Sequence, residues 1–233
     1  MEPVLFYGVP QGCSFGSIVA LEWLGEPYRL CRISMPDDMQ GDLYARINSV
    51  RETPVLLLED GRSLSESAAI LQNIAARGIG QGLGFVQGTP SFDRLNRMLS
   101  FLTTTYFASF SPLWAAYEMA ENPPVQSVLR EHGRREVAKA HAHLDAMLAG
   151  HDWLVDDDRT VADAYLAGIA RWADYHRAVE QRDYPNLYRL LERLAGDPAF
   201  AFARAIEAGK PAQSSGGFCG HVDLAELEPR LAA

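Results

Sequence analysis

The sequence predicts an α/β domain followed by an all-α domain, and three observations carry that reading. Short apolar runs at Val4 to Tyr7 and Val55 to Leu58 flank helix-period stretches in the first third of the chain. Five glycines, at 78, 80, 82, 84 and 88, then break the composition as a linker does. Beyond them strand signals stop, and apolar residues recur at helical spacing. The expected boundaries are a first domain over 1–80, a linker over 81–90, a helical domain over 91–210 and a flexible tail over 211–233.

The elements follow in order. Val4 to Tyr7 reads as a strand, and its Tyr7 is expected in the core. Ser14 to Leu24 reads as a helix with Ile18 and Leu21 inward, ended by Gly25. Tyr28 to Ile33 reads as a second strand, with Cys31 in the core. A polar stretch follows, with a helical turn near residues 41–47. Val55 to Leu58 is fully apolar, as in a strand buried on both faces. Asp60-Gly61 is a hairpin turn signal, and Ser63 to Ser65 returns as a short strand. Ser67 stands where an N-cap belongs, ahead of Ala68, Ala69 and Ile70. In the second domain the periodicity predicts helices over 91–110, 125–148, 160–176, 186–194 and 197–208. The first ends before Pro112. Thr160-Val161-Ala162-Asp163 is a capping box, although Arg159 occupies the place of the usual hydrophobic staple. Pro211 to Gly217 reads as a flexible linker.

Composition narrows the function. The chain has 233 residues, 48% hydrophobic and 22% charged, with a formal net charge of -9. That acidity argues against nucleic acid and against an anionic membrane surface as partner. No apolar run is long enough to span a bilayer, and Met1-Glu2-Pro3 is not the basic start of a signal peptide. Three cysteines, at 13, 31 and 219, form no framework, so a reduced cytoplasmic compartment is expected. Cys219-Gly220-His221 is too short to define a metal site, and no metal is expected.

The stretch from Arg51 to Ile70 carries the chemistry. Thr53 precedes Pro54, so its backbone is pushed into an extended form able to pair with something strand-like. Glu66 and Ser67 lie at a helix start, whose free N–H groups attract a carboxylate. A small peptide with a free carboxylate and a free amine fits both features.

Thr53-Pro54-Val55-Leu56, Asp60-Gly61 and Leu64-Ser65-Glu66-Ser67-Ala68-Ala69-Ile70 resemble the glutathione site of the cytosolic glutathione transferases. Pro10-Gln11-Gly12-Cys13-Ser14-Phe15 and Ser109-Phe110-Ser111-Pro112-Leu113 resemble the bacterial beta class of that family. The resemblance implies a thioredoxin-like βαβ-ββα domain, a helical second domain and a homodimer. It implies a cis bond before Pro54, glutathione held by Thr53, Pro54, Glu66 and Ser67, and Trp172 lining the glutathione pocket.

It also implies that Cys13 and Ser14 sit beside the glutathione sulfur as the catalytic pair. A thiol titrates near 8.5, so a donor that favours the thiolate is needed near neutral pH. Ser14 or the Cys13 backbone would supply it. Alternatively, Cys13 would act as nucleophile in thiol–disulfide exchange. The histidine that beta-class members carry near the sulfur falls here on Phe107, and its basic neighbour on Ala108. Three readings stay open: a transferase acting on an apolar electrophile held by Phe107, Phe110 and Trp114; a glutathione-dependent oxidoreductase using Cys13; and a glutathione-binding protein without turnover.

Overall fold

The computed structural model describes residues 2–8, 11–35 and 37–231. Its first domain is built on one five-stranded sheet of order β4-β3-β1-β2-β5. Strands β1 (Val4–Tyr7) and β2 (Tyr28–Arg32) are parallel, joined through α1 (Phe15–Leu24). Two short helices, α2 (Asp37–Gln40) and α3 (Asp42–Ile47), lead to the antiparallel hairpin β3 (Val55–Leu57) and β4 (Ser63–Ser65). Helix α4 (Ser67–Arg77) completes the unit.

Every residue of α1 is buried. The helix packs between the sheet and three others, α4, α8 (Val161–Tyr175) and α10 (Pro198–Glu207), which explains why its sequence is apolar on every side apart from Ser17 and Glu22. Gly25, at φ 72°, ends it by donating its N–H to the Leu21 carbonyl. Tyr7 and Cys31 lie in the core as expected.

The second domain is helical, with α5 (Pro90–Phe101), α6 (Ser111–Glu118), α7 (Pro123–Met147), α8, α9 (Pro185–Ala195) and α10. The single helix expected over 91–110 is interrupted. Residues Leu102–Phe107 form a π-helical turn, where Thr103 and Thr104 hydroxyls bond the Leu99 and Ser100 carbonyls, each at 2.9 Å. Pro112 does not close this region but lies in the first turn of α6, where a missing N–H costs nothing.

The capping box forms at α8. The Ala162 N–H donates to Thr160 Oγ1 at 3.2 Å, and the Thr160 N–H donates to Asp163 Oδ2 at 2.8 Å. Arg159, in the staple's place, lies over the Trp23 ring at 4.8 Å and pairs with Asp197 at 3.0 Å. Asp197 also accepts from the Trp23 indole at 3.1 Å, which ties α1 to the second domain.

The tail corrects the sequence reading. Residues 211–217 are not a free linker, and 218–231 is not a flexible appendage. Phe218–His221 forms β5, parallel to β2 at the sheet's edge, and Leu224–Arg230 folds as a short 3-10 helix over the second face. The cause is Glu22, 4% exposed in the middle of α1. Its carboxylate accepts from the Tyr28 hydroxyl at 2.6 Å, the Ser214 hydroxyl at 2.8 Å, and the Ser215 and Gly216 N–H groups at 2.8 and 2.9 Å. A buried carboxylate must be satisfied, and the tail supplies most of its donors. A side chain at Gly216 or Gly217 would collide with the α1 backbone or the turn after it.

Candidate functional site

Sheet register places the predicted residues at one end of the strands. Val55 pairs with Phe6 on one side and Ser65 on the other. The chain after β1, the bend before β3 and the start of α4 therefore adjoin. A Cβ on Gly8 would stand 2.9 Å from the Thr53 hydroxyl, so glycine permits that approach.

The Thr53-Pro54 bond is cis, as the resemblance implied. Pro54 is buried and Thr53 half-buried. Among the described residues, the Thr53 backbone N–H and C=O have no backbone partner. Glu66, rather than Ser67, holds the N-cap position of α4, and Ser67 is its first helical residue. Glu66 is exposed and adopts φ 70°, a left-handed conformation that a non-glycine residue rarely takes. Gln11 (φ 55°) and Arg51 (φ 61°) share that strain. Three such residues fall in the segments at that end of the strands, the kind of strain that functional sites hold.

At the start of α1 the predicted pair separates in character. Cys13 is partly exposed, whereas Ser14 is fully buried with no partner for its hydroxyl among the described residues. Burial pushes the Cys13 thiol up to about 11, with Glu52 adding to the rise, and Arg171 opposes it. Cys13 is therefore a protonated thiol at neutral pH. It is suited to donate a weak hydrogen bond and poorly suited to attack.

Two aromatic assignments need correction. Phe110 is 0% exposed and packs against Tyr106 and Trp172, so it belongs to the core and not to a pocket for a second substrate. Trp172 is 2% exposed. Its ring is enclosed by Phe107, Phe110 and Trp114, and its indole N–H donates to the Gln11 carbonyl at 3.0 Å. Trp172 holds the loop before Cys13 and does not offer its face to a ligand. Phe107 and Trp114 remain partly exposed, and Trp114 stacks on Tyr175 with ring centroids 5.6 Å apart.

Arg171 was not singled out from the sequence, yet it meets the same loop. Its guanidinium donates to the Gly12 carbonyl at 3.3 Å. The signal was present: in 161–173, an almost wholly apolar and small-residue stretch, only Asp163 and Arg171 carry charge. Tyr106 and His141 also interact, at 3.3 Å, but deep in the core, where burial pushes His141 down to about 4. A cavity of about 890 Å³ lies elsewhere. It opens between α5, the π turn and α7, lined by Met98, Phe101, His132, Lys139 and Met147 among others, and touches none of the residues above.

Comparison with known proteins gives one result. Residues 13–77 match the family described as "Glutathione S-transferase, N-terminal domain", and residues 110–198 match "Glutathione S-transferase, C-terminal domain". The chain is 30% identical over 192 residues, covering 82% of it and 92% of the relative, to glutathione S-transferase GST-4.5 of Xanthomonas campestris pv. campestris. It is 26% identical over 208 residues to the glutathione S-transferase GstA of Escherichia coli, covering 88% and 99%. A sphingomonad glutathione S-transferase solved in complex with glutathione superposes with a TM-score of 0.78 at 28% identity, covering 88% of this chain and 98% of that one. A beta-class enzyme from Sphingomonas chungbukensis does so at 0.76 and 26%, covering 88% and 98%. Among the described residues no helix is long and apolar enough to cross a membrane, and no cluster of three His, Cys, Asp or Glu side chains is placed to hold a metal ion.

Proposed function

The chain belongs to the glutathione S-transferase family, and on that premise we propose that it binds glutathione along the bend at Thr53-Pro54 and transfers the sulfur to an apolar electrophile. The observation that carries this reading is the geometry at that end of the sheet. There the Thr53 backbone, with no backbone partner among the described residues, adjoins the strained helix start at Glu66-Ser67. The Thr53 N–H and C=O would pair with the cysteinyl backbone of glutathione. The N–H groups at the start of α4 would hold its γ-glutamyl carboxylate, with Glu66 beside its amine.

The sulfur then falls near the start of α1. Its proton passes to water, since Phe107 and Ala108 supply no base. The Cys13 amide and thiol and the unpartnered Ser14 hydroxyl are the donors at hand for the anion. The thiolate attacks the electrophilic carbon, a carbon–sulfur bond forms, and the leaving group departs with its electron pair. Phe107 and Trp114 supply the partly exposed aromatic surface for the electrophile.

The oxidoreductase reading needs a Cys13 thiolate, and the burial that pushes this thiol up to about 11 argues against it. The non-catalytic reading fails if turnover is measured. We place the protein in the cytoplasm as a homodimer, to be checked by light scattering.

Isothermal calorimetry with glutathione, followed by conjugation of a chlorinated nitrobenzene, tests the whole. Binding and turnover that survive Cys13→Ser support transfer. Disulfide reduction that is lost in Cys13→Ser, with no conjugation in the parent, favours the oxidoreductase. Absence of glutathione binding rejects both.

A further inference from the structure

We propose that Arg171, locked to Glu207, is a positioning residue that fixes the direction of the backbone amides at the start of α1, where the glutathione sulfur binds; the inference rests on the transferase reading above. Helices α1 and α8 meet backbone to backbone. A Cβ on Gly16 would stand 2.6 Å from the Ala164 carbonyl, and one on Gly168 would stand 3.0 Å from the Gly16 nitrogen. One turn beyond Gly168, two successive residues of α8 take two successive carbonyls of the loop. Trp172 donates to Gln11, and Arg171 donates to Gly12.

A trans peptide is planar, with its C=O and N–H opposed. Both of these peptides are trans. Turning the Gln11 and Gly12 carbonyls toward α8 therefore turns the Gly12 and Cys13 N–H groups away from it. Among the described residues the Cys13 N–H has no backbone acceptor. It faces the Cys13 sulfur, whose anionic form it favours.

The guanidinium has little freedom to do otherwise. Its Nη1 and Nη2 donate to the two Glu207 carboxylate oxygens at 2.6 and 3.2 Å, and its Nε donates to the Gly168 carbonyl at 3.1 Å. Its carbon centre lies 3.8 Å from the Phe15 ring centroid. Both partners of the pair are largely buried. A planar fork can meet three acceptors and stack at once, whereas a lysine ammonium cannot. Arg171 also draws the Cys13 thiol down, against Glu52 and Glu207.

The test uses the full chain and its Arg171→Met, Arg171→Lys and Glu207→Gln variants. Ultraviolet absorbance of the thiolate reads the ionisation of bound glutathione against pH, and steady-state kinetics read kcat and KM. Arg171→Met should raise the pKa of the bound thiol by about one unit. It should lower kcat about tenfold or more, as misplacement of reacting groups does, with a smaller change in the KM for glutathione. Arg171→Lys should not restore either value. Glu207→Gln keeps one acceptor for the guanidinium and should lose less. A wild type that binds and conjugates, with variants of lower Tm but unchanged thiol ionisation and kcat, overturns this inference alone. A wild type that does not bind glutathione overturns the transferase reading and this inference with it. Should Arg171→Met fail to fold, the other two variants decide by the same readings.

Discussion

Two buried carboxylates, Asp163 and Glu22, solve the same problem by different routes. Asp163, at 0% exposure, is satisfied locally: the N–H groups of Leu154 and Thr160 and the Thr160 hydroxyl all donate to it. Glu22 draws most of its donors from Ser214, Ser215 and Gly216, at the far end of the chain. The first arrangement stays within ten residues of chain, and the second is a tertiary contact. Both of Asp163's Thr160 donors are buried inside the second domain, and its third donor, the Leu154 N–H, is partly buried. Glu22's tail donors can lift away and be solvated, so its loss should cost less per bond.

The largest effect should come from Asp163→Ala, which strands the buried Thr160 amide and the partly buried Leu154 amide. It should lower stability by about 3 kcal/mol in denaturant melts, since each orphaned donor costs on the order of 1 to 3 kcal/mol. A loss below that of the Glu22 variant would break the comparison. Glu22→Ala should cost about 2 kcal/mol and free the tail. Hydrogen exchange at residues 214–222 should then rise while α8 stays protected.

The third prediction concerns pH. Burial pushes the Asp163 carboxyl up from 3.8 to about 6, against the donors that pull it down. A raised folded pKa contributes stability that is full below about 4 and lost as pH rises through about 6. Relative to Asp163→Asn, the parent should therefore lose on the order of 2 to 3 kcal/mol between pH 4 and 7. A flat difference would show that the donors prevail over burial. The smallest effect belongs to Ser214→Ala, at about 0.5 to 1 kcal/mol, because the Ser215 and Gly216 amides keep their acceptor.

The same contrast explains what was legible in the sequence. Thr160-x-x-Asp163, Asp60-Gly61 and Gly25 are local signals, and each forms the feature its spacing implies, whereas the cis bond before Pro54 was implied by the family resemblance. Apolar periodicity and the glycine-rich break at 78–88 carried the two-domain fold, and the family motifs agreed with it. The tail was misread because Pro211 to Gly217 has the composition of a linker, and nothing near it names Glu22 as its partner. Strand β5 is four residues long with a shifted register, too short for periodicity to reveal. Phe110 and Trp172 were misplaced for a related reason: aromatic spacing on a helix is the same whether the ring meets core or ligand. Arg171 could have been found only by asking why one cation interrupts a buried helix.

Because β5 rejoins the sheet after α10, the helical domain is an insertion within the first domain, and the chain passes between the two bodies twice. Residues 78–89 make one crossing and residues 208–217 the other. Two tethers at separate points restrain a hinge that one would leave free. The sheet's β2 edge also stays uncovered until more than 180 further residues have been synthesised. An outer strand supplied that late makes completion of the first domain one of the last events in the folding of a nascent chain.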